Sequence, residues 1–307
     1  MRTGTAEMPY EIVRGPVADP YQARVIETYA DDPQLWQAVI GPALWFQFGV
    51  YAPPERAANA DSPESLDASG RRHLERQLDI AGVDISGTRR GRFLDVGFGW
   101  GTALEYLARR FPDGPRLDGV NISPAQTQYA ARRLSDLSLA DRVNLYLCNA
   151  QDLWLLPDPG QPYDLVLLRG SITHFSAGAL DATLRALASR MAIGGKLIIS
   201  ESLYNIPLDV YTSAVPDDED RLACGHRKTL NLLVDALMRN SFILQDARKL
   251  PTDEDVIHWL RAVRSNIEQI LPSGIPKPLK ELRDTAINLT AALRENTYSV
   301  YSIIASR

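Results

Sequence analysis

From Gly91 onward the chain alternates short apolar runs with stretches in which apolar residues recur every three to four positions. The runs RFLDVG, RLDGVNIS, VNLYLC, YDLVLLRG and KLIISESL predict strands, and the stretches Thr102 to Phe111, Ser123 to Leu137 and Ala179 to Met191 predict helices between them. In the last of these, Leu180, Leu184, Leu187 and Met191 fall on one helical face, and the glycines of IGGKLIIS predict a stop before the next strand. Strand and helix in regular alternation imply an α/β fold with a mainly parallel sheet.

The pattern changes at both ends. SFILQDARKL and YSVYSIIASR read as two further strands, with two amphipathic helices between them, DEDVIHWLRAVRSNIEQIL and PLKELRDTAINLTAALREN. The first 90 residues read as mostly helical, with an aromatic cluster, LWFQFGVYAPP, ahead of a helix from about Pro63 to Ala81. The expected organisation is a helical N-terminal cap over residues 1–90, a core over 91–251, a helical cap insertion over 252–296 and a final core strand over 297–307.

Composition narrows the function classes. With 45% hydrophobic residues, 23% charged residues and a net charge of −5, the 307-residue chain has the profile of a soluble globular protein, and no basic excess points to nucleic acid. Cys148 and Cys224 belong to no CxxC or Cys/His cluster, so no zinc site or disulfide framework is expected. The acidic run AVPDDEDR reads as a solvated loop or helix start rather than a metal site. Neither a signal peptide nor an apolar run long enough for a membrane span is recognisable, and a cytoplasmic protein is the expectation.

The candidate chemistry begins at the first strand-to-helix turn, DVGFGWGT. Gly97, Gly99 and Gly101 allow a close backbone approach to a ligand beyond the strand end. A dinucleotide site of the form GxGxxG would need glycine at position 102, where Thr102 stands. Asp95, just before the turn, would repel a phosphate and attract a cation. S-adenosylmethionine carries both a sulfonium and an ammonium, so the turn favours that cofactor over a dinucleotide.

With these motifs in this order, the chain resembles the class I S-adenosylmethionine-dependent methyltransferases, in the small-molecule branch that includes natural-product methyltransferases and cyclopropane-synthase-like enzymes. The resemblance implies a Rossmann-like doubly wound sheet of about seven strands. It implies cofactor contacts from Asp95, Gly97, Gly99 and Gly101, with Phe98 at a position where cysteine is common. LDGVNISPAQTQYA is similar to the branch's second-strand motif and implies that Asn121 and Gln126 hold the ribose hydroxyls. CNAQDLWLLP resembles the adenine segment, with Asn149 in place of its acid as an acceptor for the adenine amino group, followed by Ala150 and Gln151. Arg169, in YDLVLLRGSITHF, would meet the cofactor through its backbone. LWFQFGVY is similar to an N-terminal signature that closes the pocket, with Gln47 at its histidine position and Tyr51 at its end.

The same resemblance points His174 at the acceptor, where an imidazole can take a proton near neutral pH. Gly170 stands where carbon-methylating relatives carry a glutamate, which favours oxygen or nitrogen as the methylated atom and leaves carbon methylation, for instance of a prenyl diphosphate, as the alternative; Glu201 is a second candidate base. The expected partner is a small-molecule acceptor, with no nucleic acid and no membrane, and a homo-oligomer is left open. A cofactor-binding protein without catalysis is the competing class.

Overall fold

The computed structural model describes residues 9–15, 21–53, 55, 63–83, 91–215, 220–270 and 274–307. Residues 216–219 of the acidic run lie outside these. The N-terminal part holds a two-residue strand β1 (Glu11–Ile12) and the helices α1 (Gln22–Thr28), α2 (Pro33–Ile40) and α3 (Pro63–Ile80). The core follows as β2 (Arg92–Val96), α4 (Thr102–Arg110), β3 (Arg116–Asn121), α5 (Pro124–Asp136), β4 (Val143–Leu147), β5 (Tyr163–Arg169), α6 (Ala177–Arg190) and β6 (Met191–Tyr204). The chain ends with α7 (Leu230–Arg239), β7 (Ile243–Lys249), α8 (Asp253–Ile270), α9 (Lys277–Arg294) and β8 (Tyr298–Ser306).

These strands form one eight-stranded sheet in the order β1-β4-β3-β2-β5-β6-β8-β7. All neighbours are parallel except β6 with β8 and β8 with β7, which are antiparallel. The expected Rossmann-like α/β architecture is borne out, with one strand more than the seven expected. The addition is β1, whose pairing with β4 a two-residue run could not announce. The order reverses between β2 and β3 on one side and β2 and β5 on the other, which opens a crevice at the carboxyl end of β2.

Local chemistry sets the boundaries. Ser123 caps α5 by accepting the Gln126 N–H at 3.3 Å, with Pro124 preorganised at the first helical position. Ser176 caps α6 at Ala179 N–H, and Leu180, Leu184 and Leu187 are buried on one face. The helix stops at Arg190, so Met191 opens β6 and the two glycines expected to precede the strand lie inside it. The sheet buries an apolar cluster on each face. A third cluster joins Trp36, Val39 and Ile40 of α2 to Val256, Trp259 and Val263 of α8 and Leu279 and Leu282 of α9. Helices α8 and α9, inserted between β7 and β8, thus share an apolar core with the N-terminal helices above the strand ends that bear the crevice.

Candidate active site

A cavity of about 160 Å³ opens at the carboxyl end of β2. Asp95, Gly97, Gly99, Asn121, Gln126, Asn149, Ala150, Gln151, Arg169 and His174 all line it, so residues spread over eighty positions of sequence meet in one place. The two other candidates, Gly101 and Tyr51, are not among its lining residues. Gly101 precedes α4, and a Cβ there would lie 2.9 Å from the Ala130 Cβ, so its smallness serves helix packing. Tyr51 packs its ring edge-on to His258, 4.6 Å between centroids, and gives its N–H to Asp255. Tyr51 thereby ties the aromatic segment to α8.

Each lining group can be assigned by what its atoms already do. The Asp95 carboxyl is only 4% exposed and burial pushes it up to about 7, with the nearby Arg169 guanidinium pulling the other way. A carboxylate strained in this way gains by receiving a cation. Gly97 is closed in by Ser171, whose Oγ would lie 2.1 Å from an added Cβ, whereas a Cβ on Gly99 meets nothing within 4 Å. With φ at +55°, Gly99 presents bare backbone to open space.

The amides divide their work differently from the expectation. Asn121 gives its amide hydrogens to Gly99 O at 3.1 Å and Gln126 Oε1 at 3.0 Å, and its own oxygen accepts the Ser123 N–H. All its groups are engaged in bracing the glycine turn against the start of α5. Gln126 is left with its amide nitrogen for a ligand oxygen. Asn149 uses its oxygen to accept the Gln151 N–H at 3.2 Å, while its buried Nδ2 has no hydrogen-bond partner. The expected acceptor for an adenine amino group is therefore a donor, suited to a ring nitrogen. An unmatched buried donor, a carboxylate raised by burial and a bare glycine backbone together fit a cationic, nitrogen-rich ligand such as S-adenosylmethionine.

Arg169 contributes its side chain where only its backbone was expected to matter. Its Nε donates to Gln77 Oε1 at 3.0 Å, the guanidinium lies over the Trp45 ring, and burial lowers it to about 10 while Asp95 opposes that change. No motif marks this buried cation, because the residues that surround it come from α3 and the aromatic segment.

A second cavity, of about 370 Å³, meets the first at Tyr29, Phe46, Gln47, Gly170 and His174. Its other walls include Tyr204, Tyr211, Trp259, Leu260, Leu282 and Tyr298, together with Glu201. Gly170 has φ +65°, and a Cβ there would lie 1.9 Å from Gln47 Nε2. The two departures from the resembled motifs, Gln47 and Gly170, thus occupy one another's space. The register pairs Arg169 with Ser200, which places Gly170 beside Glu201 on the neighbouring strand.

His174 stands where the cavities join. Its Nδ1 lies 2.7 Å from Ala223 O, and because a carbonyl can only accept, Nδ1 carries the proton and Nε2 keeps a lone pair in the neutral ring. Burial lowers the imidazole below its ordinary value of 6.5, although the Ala223 bond opposes this. Thus the ring is neutral at physiological pH and can accept a proton. The turn that supplies Ala223 has Leu222 and Ala223 both at positive φ, a geometry that sequence reading did not anticipate.

Residues 93–195 match a family described as "Methyltransferase domain". Geranyl diphosphate 2-C-methyltransferase of Streptomyces coelicolor is 27% identical over 164 residues, covering 49% of this chain and 51% of that protein. The chain spans about half the length, or less, of the curated relatives it matches. Among solved structures, geranyl diphosphate methyltransferase in complex with geranyl diphosphate and sinefungin superposes with a TM-score of 0.73 at 19% identity, covering 95% of this chain and all (100%) of that one. The cyclopropane synthase MmaA2 of Mycobacterium tuberculosis gives 0.73 at 11% identity, again covering 95% of this chain and 100% of that one. Residues 93–195 thus have the character of a methyltransferase domain, as the resemblance implied. Among the described residues, no helix is long and apolar enough to cross a membrane.

Proposed function

With a methyltransferase domain at its centre, we propose that this chain is an S-adenosylmethionine-dependent enzyme that methylates a small molecule held in the second cavity. The observation that carries this reading is the meeting of the two cavities at His174, one lined by groups that fit the cofactor and the other by aromatic and aliphatic walls with Glu201, Asp220, Arg221 and Arg227 among them. When bound, S-adenosylmethionine supplies a methyl group already activated by its sulfonium. Asp95 would hold its amino group, Gln126 a ribose hydroxyl and Asn149 the adenine, while Gly99 would let the backbone approach.

The chain's remaining task is to align an acceptor and keep water away. The second cavity does the first, and the apolar core shared by α2, α8 and α9 does the second, which gives the segments 1–90 and 252–296 the role of caps. His174 Nε2 takes the proton from an acceptor O–H or N–H, so that the new C–O or C–N bond forms without leaving a charged product on the acceptor. Oxygen or nitrogen methylation is the preferred chemistry, because Gln47 fills the place where a residue-170 carboxylate would project.

Carbon methylation is the second reading. Tyr29, Phe46, Tyr204, Trp259 and Tyr298 line a chamber whose ring faces would stabilise a developing carbocation, and the Streptomyces relative is a C-methyltransferase. The test is an acceptor screen with isotopically labelled S-adenosylmethionine, with the labelled product identified by mass spectrometry and the methylated atom assigned by NMR. Label on oxygen or nitrogen supports the first reading and label on carbon the second. Tight cofactor binding with no transfer to any acceptor would support a cofactor-binding protein without catalysis.

A further inference from the structure

The short turn Ile172–His174 lies between two buried, oppositely charged side chains. Glu201, 2% exposed, accepts the Ile172 N–H on Oε2 at 2.7 Å and the Ser202 N–H on Oε1 at 2.8 Å. Lys228, 7% exposed, donates from Nζ to Ile172 O at 2.8 Å, Phe175 O at 2.6 Å and His226 O at 2.6 Å. The turn is further held by His226 N–H to Thr173 O at 3.2 Å and by His174 Nδ1 to Ala223 O at 2.7 Å.

We propose that Glu201 and Lys228 are positioning residues for His174, a charge clamp that grips the Ile172 N–H with a carboxylate and the carbonyls of Ile172 and of Phe175, at the end of the turn, with an ammonium. The arrangement matches the sign of each backbone group, and the opposite charges offset one another's burial across the turn. Two buried charges are a costly way to fill space. They are well suited to fixing a histidine ring whose Nε2 must face both cavities, since a misplacement of about 1 Å can cost about 100-fold in rate. The functional consequence rests on the reading of His174 as the proton acceptor.

Several titratable groups share this neighbourhood. Lys228 faces Glu201 from β6 and Cys224 from the turn after Ala223. Glu201 also acts on Tyr29 and on Tyr298 of β8, and His174 feels Asp220, Lys228 and His226. Burial lowers the Lys228 ammonium to about 8, against the pull of Glu201, and raises the Glu201 carboxyl to about 7. The clamp should weaken above pH 8, as Lys228 loses its charge and one of its three donors.

The test uses the 307-residue chain with bound S-adenosylhomocysteine and ¹⁵N-labelled histidine, the His174 ring signals being those lost in His174→Ala. The wild type should show the proton on Nδ1 and a titration midpoint below 6.5. Lys228→Met should populate both tautomers and raise the midpoint, because a neighbouring cation has been removed. S-adenosylhomocysteine should still bind normally, and turnover should fall about 100-fold. Lys228→Arg, which keeps a cationic donor, should retain the wild-type spectrum and shift the alkaline loss of turnover upward. Glu201→Gln provides a second break in the clamp should Lys228→Met fail to fold. Wild-type His174 spectra in folded Lys228→Met or Glu201→Gln would overturn the proposal. A changed spectrum with unchanged turnover would instead uphold the clamp and overturn His174 as the base.

Discussion

The Nδ1 of His174 lies 2.7 Å from the carbonyl oxygen of Ala223, a residue 49 positions later, and this one bond decides which ring nitrogen is left to take a proton. His174→Ala should therefore lower turnover by about 10²–10⁴-fold, the range for a positioned base, with cofactor affinity nearly unchanged. His174→Gln should stay low, because an amide can hydrogen-bond but cannot accept the proton near neutral pH. At saturating cofactor the contribution of His174 to the rate should be lost on the acid side below 6.5, since burial lowers the imidazole and protonation removes its lone pair. Recovery of most of the rate by His174→Gln would reduce the residue to an orienting role.

Gly99 and Gly101 should respond differently to the same change. Gly99→Val places its side chain in open cavity space, so cofactor affinity should collapse while stability drops only by about 1–2 kcal/mol for the left-handed backbone. Gly101→Val meets Ala130 as well and should melt at a lower temperature than Gly99→Val. Calorimetric titration and thermal melts of both variants check the contrast, and equal cofactor affinity in Gly99→Val and wild type would remove this turn from the site.

Gln47 and Gly170 should be energetically coupled. Gly170→Ala carries the cost of a positive φ together with a collision with the Gln47 amide, and Gln47→Ala relieves only the second. A double-mutant cycle from denaturant unfolding should give a coupling of about 0.5–3 kcal/mol, the range for residues in contact. Strict additivity would show that the two sites do not share space.

The parallel core was legible because its strands and helices are specified locally, by apolar runs and by period. Ten lining residues of the first cavity were legible from the glycine turn and from the resemblance of the motifs after the strands to the methyltransferase branch rather than from period. What escaped was the use to which each atom is put. Asn121 and Asn149 have the right addresses, but only the hydrogen bonds to Gly99, Gln126, Ser123 and Gln151 show which of their groups remain for a ligand. The side-chain partners of Arg169, Gln47 and Lys228 were opaque because they come from distant segments, and no periodicity encodes a contact of that kind. The packing of Tyr51 on α8 was not legible either, because a large aromatic serves equally well as a lid or as core.

The most direct test of the account is calorimetric titration of the wild type and Asp95→Asn with S-adenosylhomocysteine on both sides of pH 7. Asp95 is raised to about 7, so below that pH it is largely neutral and attracts the ligand's ammonium poorly, while above it the carboxylate is present. The predicted result is saturable one-site binding by the wild type that tightens as pH rises through about 7. Asp95→Asn should bind about 10–100-fold more weakly at the higher pH, the scale of a lost hydrogen bond to a charged group, and should lose most of that pH dependence. Wild-type affinity and pH dependence in Asp95→Asn, or no binding of S-adenosylhomocysteine alongside tight binding of a dinucleotide, would contradict the assignment of this cavity.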